Sequence, residues 1–255
     1  MTILCCDIRG FTALSERLNP SQLVAFVNRL FERMTRVVDL HGGVIDKFLG
    51  DAVLCIFEGS DSAERAVACG DDMLAGVTSF NAEECRLTGQ VVRIGIGLHT
   101  GPVILGTIGS SERMDSTVLG HTVNLAKRLE EVTKLLGASL LISDQVASGL
   151  PGGHTHHLRR LGEVSVKGNS APVSIFEVYD QDPPEIRIFK DQVEPITAEG
   201  IELYQSGRPE AALSKLLEAQ SLFPQDLFLG LLITSLRRAL EQGQGVKRET
   251  LLDFR

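Results

Sequence analysis

No apolar run in this sequence approaches the roughly 20 residues that a membrane-spanning helix needs, so no helical span is expected in this chain. Proline is scarce, with 9 residues, and 43% hydrophobic against 23% charged is the balance of an ordinary globular chain. Disordered, collagen-like and disulfide-scaffold classes are thereby excluded. Positive charge is also short, since 25 basic against 33 acidic residues give a net charge of -8. That balance argues against a nucleic-acid groove, because phosphate backbones recruit clustered Lys and Arg. An anionic substrate would then need local positive groups or metal ions. The five cysteines, Cys5, Cys6, Cys55, Cys69 and Cys85, form no Cys-x-x-Cys pair and have no His at zinc-finger spacing. Structural zinc is not expected, and a reducing cytoplasm is the simplest setting. No charged segment, apolar stretch and small-residue cleavage site succeed one another at the N-terminus, so no export signal is expected. Met1 leads almost at once into the apolar run 3–6, which reads as a strand lacking its lead-in, as in a fragment of a longer protein.

What is present suits one large domain with a small appendage, given 255 residues. Residues 3–8 read as a buried strand. Asn19 and Pro20 then start a helix whose apolar residues, from Leu23 through Phe26, Leu30, Phe31 and Met34 to Val38, recur at helical spacing until Gly42 and Gly43 stop it. Two strand-like runs, 44–49 and 52–57, meet at Gly50-Asp51 in a tight hairpin. A helix is expected over 61–79, strands over 91–99 and 103–108 with Thr100-Gly101-Pro102 between them, and a helix from about 122 to 136. A short strand at 140–142, a helix capped by Ser143 or Asp144, and a strand pair near 158–166 and 173–178 complete this part. Irregular alternation with tight hairpins predicts an α+β sheet covered by helices. A polar, proline-containing linker is read over 180–192, and beyond it Gly200, Leu203, Ala212, Leu216, Ala219 and Pro224 fall at tetratricopeptide spacing. That tail, 193–255, reads either as a helical hairpin docked on the main domain or as a unit that binds a protein partner.

Several polar residues interrupt this apolar frame. Asp7 ends an otherwise buried strand, and Asp51 sits at a hairpin tip; turn preference alone would explain each. Brought together in one sheet, they form the carboxylate pair that divalent cations on a triphosphate require. Lys47 breaks an apolar strand, either as a solvated edge residue or as a donor to a base. Asn124 and Arg128 lie four apart on one helical face, opposite Leu125, Leu129, Val132 and Leu136. A solvated polar face would show the same spacing as a grip on ribose and phosphate. His154, His156 and His157 in a Gly-rich loop read as a solvated turn rather than a metal site.

The segments Cys6-Asp7-Ile8-Arg9-Gly10-Phe11-Thr12, Asp46-Lys47-Phe48-Leu49-Gly50-Asp51, Gly97-Leu98-His99-Thr100-Gly101 and the run from Thr117 to Leu129 together resemble the class III nucleotidyl cyclase catalytic domain. The resemblance covers residues 1–179, including Val166-Lys167-Gly168, and leaves the helical tail outside it. It implies a ferredoxin-like sheet domain that homodimerises head to tail, with active sites at the interface. It further implies two divalent cations, Mg²⁺ or Mn²⁺, held by Asp7, Asp51 and the carbonyl of Ile8. Lys47 and Thr117 match the adenine-reading positions, Asn124 the ribose-orienting residue and Arg128 the one that stabilises the pentavalent phosphorus. Phe11, Thr12, Arg93 and Lys167 match substrate contacts. The aspartates would come from one protomer and Lys47, Thr117, Asn124 and Arg128 from the other. The activity implied is conversion of ATP to 3′,5′-cyclic AMP and pyrophosphate. A guanylyl or dual-specificity cyclase and a catalytically silent dimerising domain are the alternatives. His121 and Ser116 depart from the common pattern, where Asp and an aromatic residue are usual.

Overall fold

A computed structural model describes residues 1–87, 89–109, 114–164 and 172–241. Contacts divide the chain into two units, Met1–Lys134 with Ser139–Thr155, and Leu135–Ala138 with His156–Arg255. The first unit opens with strand β1 (Thr2–Ile8), helices α1 (Phe11–Arg17) and α2 (Pro20–Leu40), and strands β2 (Val44–Leu49) and β3 (Ala52–Phe57). Helix α3 (Ser62–Leu87), β4 (Ile94–Thr100), β5 (Ile104–Gly109), β6 (Met114–Leu119), α4 (His121–Leu136), β7 (Leu140–Ser143) and α5 (Asp144–Ser148) follow. Its sheet runs β2-β3-β1-β4-β7, with β7 parallel to β4 and the other neighbours antiparallel. This is the α+β, ferredoxin-like sheet with helical cover that the sequence implied.

Local chemistry explains the boundaries. Asn19 caps α2 by accepting from the Gln22 amide at 2.9 Å, the Gln22 side chain returns to the Asn19 amide, and Pro20 sits in the first turn. Phe26, Leu30, Phe31, Met34 and Val38 form its buried stripe. Gly50 adopts a φ of 69°, a left-handed conformation that lets the β2–β3 hairpin close.

The two faces of the sheet carry different helices. Paired residues in adjacent strands face the same side, and successive residues face opposite sides. Ile96 meets α3 at Gly70, whereas an added β-carbon at Gly97, the next residue, would strike the backbone of α4 at Ala126 and Glu130. Because Asp7 pairs with Gly95 and Cys5 with Gly97, Asp7 lies on the α4 face. The core on that face gathers Ile3, Leu54, Ile56, Val118 and Ala126.

Several expectations are corrected here. Helix α3 extends to Leu87, eight residues past its expected end at 79. Strand β6 was unread in the sequence, and β5 pairs with it as a separate two-stranded ribbon. The second unit contains the hairpin of β8 (Leu158–Val164) and β9 (Val173–Val178), then α6 (Pro184–Gln205), α7 (Pro209–Leu222) and α8 (Leu227–Glu241). Helix α6 begins at Pro184, so most of the stretch expected as linker over 180–192 is helical. His156 and His157 are not free in a solvated turn, since their Nδ1 atoms lie 2.7 Å from Asp180 and 3.3 Å from Asp191. Helices α6 and α7 approach closely at Gly200, where an added β-carbon would strike Leu216 of α7. Among the described residues no helix is long and apolar enough to cross a membrane.

Candidate active site

Asp7 stands opposite Ala52 in the β1–β3 register, which sets it beside Asp51 at the hairpin turn. The Asp51 carboxyl lies close enough to Asp7 to act on it both through its charge and as a hydrogen-bonding partner. Partial burial, then Asp51, pushes the Asp7 carboxyl up to about 6, against the pull of the Ile8 amide, which donates to Oδ1 at 2.9 Å. Two carboxylates pressed together in this way are the oxygen donor set that a hard divalent cation takes, and the strain of their proximity is what such a cation would relieve. The carbonyl of Ile8 lies at the same strand end.

Lys47 reaches the site face through an irregularity of β2. The register passes from Ile45 opposite Cys55 to Lys47 opposite Leu54, so Asp46 is an extra residue in a β-bulge. Without it Lys47 would point to the α3 face, because a one-residue slip reverses every side chain beyond it. As built, Lys47 Nζ donates to Thr117 Oγ1 on β6 at 2.6 Å, with Asp46 Oδ2 3.4 Å from the same ammonium.

Asn124 and Arg128 share the outer side of α4, while Leu125, Ala126, Leu129, Val132 and Leu136 are buried beneath. Arg128 Nη1 donates to Glu131 Oε2 at 3.0 Å, holding the guanidinium along the helix. Phe11 and Thr12 open α1 directly after Gly10, whose φ of 68° turns the chain out of β1. Arg93 is exposed just ahead of β4, and its carbonyl accepts from the Arg9 amide at 2.7 Å. The structure thus brings Asp7 to Asp51, Lys47 to Thr117, and Asn124 to the face of Arg128. Lys167 lies outside the described residues, as do the side-chain surroundings of Ser116.

Sequence reading missed Arg9 and Glu130. Arg9 Nη2 donates to the Thr133 hydroxyl of α4, and Glu130 is buried nearby, its carboxyl pushed up to about 7 by burial and then by Asp7. The available signal was Ala126, Glu130 and Thr133 at spacings of four and three on the apolar side of α4, where charge calls for a partner.

A family model described as Adenylate and Guanylate cyclase catalytic domain matches residues 1–179. The adenylate cyclase of Anabaena cylindrica is 38% identical over 183 residues, 70% of this chain and 36% of that protein. The crystal structure of the adenylyl cyclase CyaB from P. aeruginosa is 34% identical with a TM-score of 0.62, over 70% of this chain and 93% of that one. That of the guanylyl cyclase Cya2 is 38% identical with a TM-score of 0.61, over 69% and 90%. The chain spans about a third of the length of the Anabaena relative. Domains of this kind bind nucleotide, act as dimers and depend on divalent cations. By its strand order, its paired site residues and these likenesses, the chain belongs to the adenylate and guanylate cyclase catalytic domain family.

Proposed function

We propose that the chain is an adenylyl cyclase that converts ATP to 3′,5′-cyclic AMP and pyrophosphate at the interface of two copies. The observation that carries this reading is the 2.6 Å contact between Lys47 Nζ and Thr117 Oγ1. Adenine needs a donor to its ring nitrogen and an acceptor for its amino group, and this pair supplies one of each. Guanine would instead present a ring N–H and a 2-amino group, donors for which the lysine offers no acceptor. The guanylyl branch typically has Glu at this position.

Asp7, Asp51 and the Ile8 carbonyl would hold two divalent cations, Mg²⁺ or Mn²⁺. Bound there, the cations would lower the pKa of the ribose 3′-hydroxyl and offset the charge of the departing pyrophosphate. Asn124 orients the ribose so that its 3′-oxygen faces the α-phosphorus in line with the leaving group. Arg128 fixes positive charge where the phosphoryl oxygens gain negative charge, a contribution of about two to three orders of magnitude in rate. Phe11 and Thr12, at the start of α1, together with Arg93 and Lys167, serve the phosphates and ribose. Ile104, Leu105, Ile108 and Met114 are exposed on the β5–β6 ribbon and offer an apolar surface to a second copy. Under this reading the catalytic domain takes residues 1–179 and the helices from α6 on form an appended helical unit. Five free cysteines accord with a cytoplasmic setting.

The test is cyclic nucleotide formation from ATP or GTP, with Mg²⁺ or Mn²⁺, across protein concentration. Cyclic AMP rising faster than linearly with protein is expected. Activity should also return when inactive Asp51→Ala and Asn124→Ala chains are mixed, since one intact interfacial site then forms. Cyclic GMP as the main product, or no product from a demonstrably dimeric chain, would overturn the reading.

A further inference from the structure

Helix α4 carries Asn124 and Arg128 on its outer side, and the same helix is pinned to the sheet beside Asp7 by a residue with no assigned part. Arg9 follows Asp7 by two residues and its side chain runs back over β4. It fits there because residue 95 is glycine: an added β-carbon would fall on the Arg9 guanidinium and on the Thr133 hydroxyl. Arg9 Nη2 donates to Thr133 Oγ1, and that hydroxyl donates in turn to the Glu130 carbonyl. The backbone end is fixed as well, by the 2.7 Å bond from the Arg9 amide to the Arg93 carbonyl. Charge supports the same placement, because the guanidinium lies among the Asp7 and Glu130 carboxyls, which act on it from β1 and α4. A glycine-lined berth, a hydroxyl relay and two acidic neighbours converge on one cation.

We propose that Arg9 is a positioning residue that locks the strand end bearing Asp7 to helix α4, so that Asn124 and Arg128 are held at a set height above the sheet. Arg128 and Asn124 lie five and nine residues before Thr133, about 7 and 13 Å along the helix axis. A rigid helix passes a displacement at Thr133 to both. Reacting groups misplaced by about 1 Å commonly lose about a hundredfold in rate. The inference rests on the adenylyl cyclase reading and adds to it. In the proposed dimer the aspartates of one copy work with the Asn124 and Arg128 of the other, so each Arg9 joins two active sites.

Mixed dimers separate that from a local effect. When Asp51→Ala and Asn124→Ala chains complement each other, the working site takes its helix α4 from the Asp51→Ala copy. Arg9→Met placed in that copy, whose own aspartates are already disabled, can act only through α4. Complemented kcat is expected to fall about 10- to 100-fold with KM for ATP held within about twofold. Arg9→Lys should restore part of it, and Thr133→Val, which keeps the fold by preserving shape, should lower kcat in the same direction by less. Hydrogen exchange read on the single Arg9→Met chain is independent of activity, and faster exchange of α4 amides is expected. Unchanged complemented kcat, or unchanged α4 exchange, would overturn the inference. Absence of complementation with Arg9 intact would instead defeat the interfacial cyclase reading, leaving the exchange result to decide this one.

Discussion

Two clusters of buried charge among the described residues resolve it in opposite ways. In the second unit, Arg159 Nη2 lies 2.6 Å from Asp226 Oδ2 with both side chains all but sealed from solvent, and the guanidinium sits over the Phe228 ring. Lys190 contacts Glu177 and Asp182 at 2.6 Å each; burial alone would lower its pKa, but the two carboxylates raise it. Tyr179 donates to Asp191 at 2.7 Å. Each of these cations meets a carboxylate at contact distance. In the first unit Asp7 and Glu130 act on Arg9 while Asp51 presses on Asp7, and both Asp7 and Glu130 are driven toward their protonated forms. Carboxylates that each meet a cation or donor tie strands to helices, whereas carboxyls crowded on one another store a demand that a cation or a ligand can meet.

The contrast breaks most sharply at Asp51. Asp51→Ala should abolish cyclic nucleotide formation, by about a thousandfold or more, while the melting temperature stays level or rises because Asp7 loses a like-charged neighbour. The mirror experiment is Asp226→Ala, which strands Arg159 without a partner. It should cost about 3–5 kcal/mol in denaturant unfolding, and Arg159→Leu combined with Asp226→Leu should recover much of that. Lys47→Glu should shift the ATP to GTP ratio of kcat/KM about tenfold or more toward GTP, in line with the 1–3 kcal/mol usual for a base-reading contact. The smallest effect belongs to Glu130→Gln. Glu130 titrates near 7 when folded against an ordinary 4.5, so between those values the folded state keeps a proton that the unfolded chain has released. Stability from this group is full below pH 4.5 and drains as pH rises to 7. The Gln variant should therefore gain on the parent as urea unfolding is repeated from pH 5 to pH 7.5, and parallel pH profiles would refute the assignment.

How much of this was legible without coordinates follows from the range of the forces involved. Asn19, Gln22 and Pro20 are neighbours, and the start of α2 could be read from them alone. Asp7 and Asp51 could be paired because a strand and an adjoining hairpin leave few alternatives. Strand β6 was missed since Met114-Asp115-Ser116-Thr117 has no apolar alternation, and its partner β5 supplies the pattern from outside. The bulge at Asp46 has no local signature; only the opposing register of β3 reveals that it turns Lys47 toward Thr117. Pro183 and Pro184 read as a break, yet a proline in the first turn suits a helix and α6 begins there. The Arg9 clamp was invisible because its members, residues 9, 95, 130 and 133, are brought together by the fold.

Gly97 bears on how this sequence can change over time. With no β-carbon between β4 and α4, the helix backbone rests directly on the strand. Every single-codon replacement at this position adds atoms where backbone already lies, and backbone cannot rotate aside as a side chain would. At Gly95, two residues earlier on the same face, the space is filled by the Arg9 and Thr133 side chains instead. Drift in β4 is thus confined to its other side, where Ile94, Ile96 and Leu98 can exchange for one another's shapes. A lineage that lost Gly97 would have to reseat a whole helix to regain its footing, so this one codon is a checkpoint that the fold itself enforces.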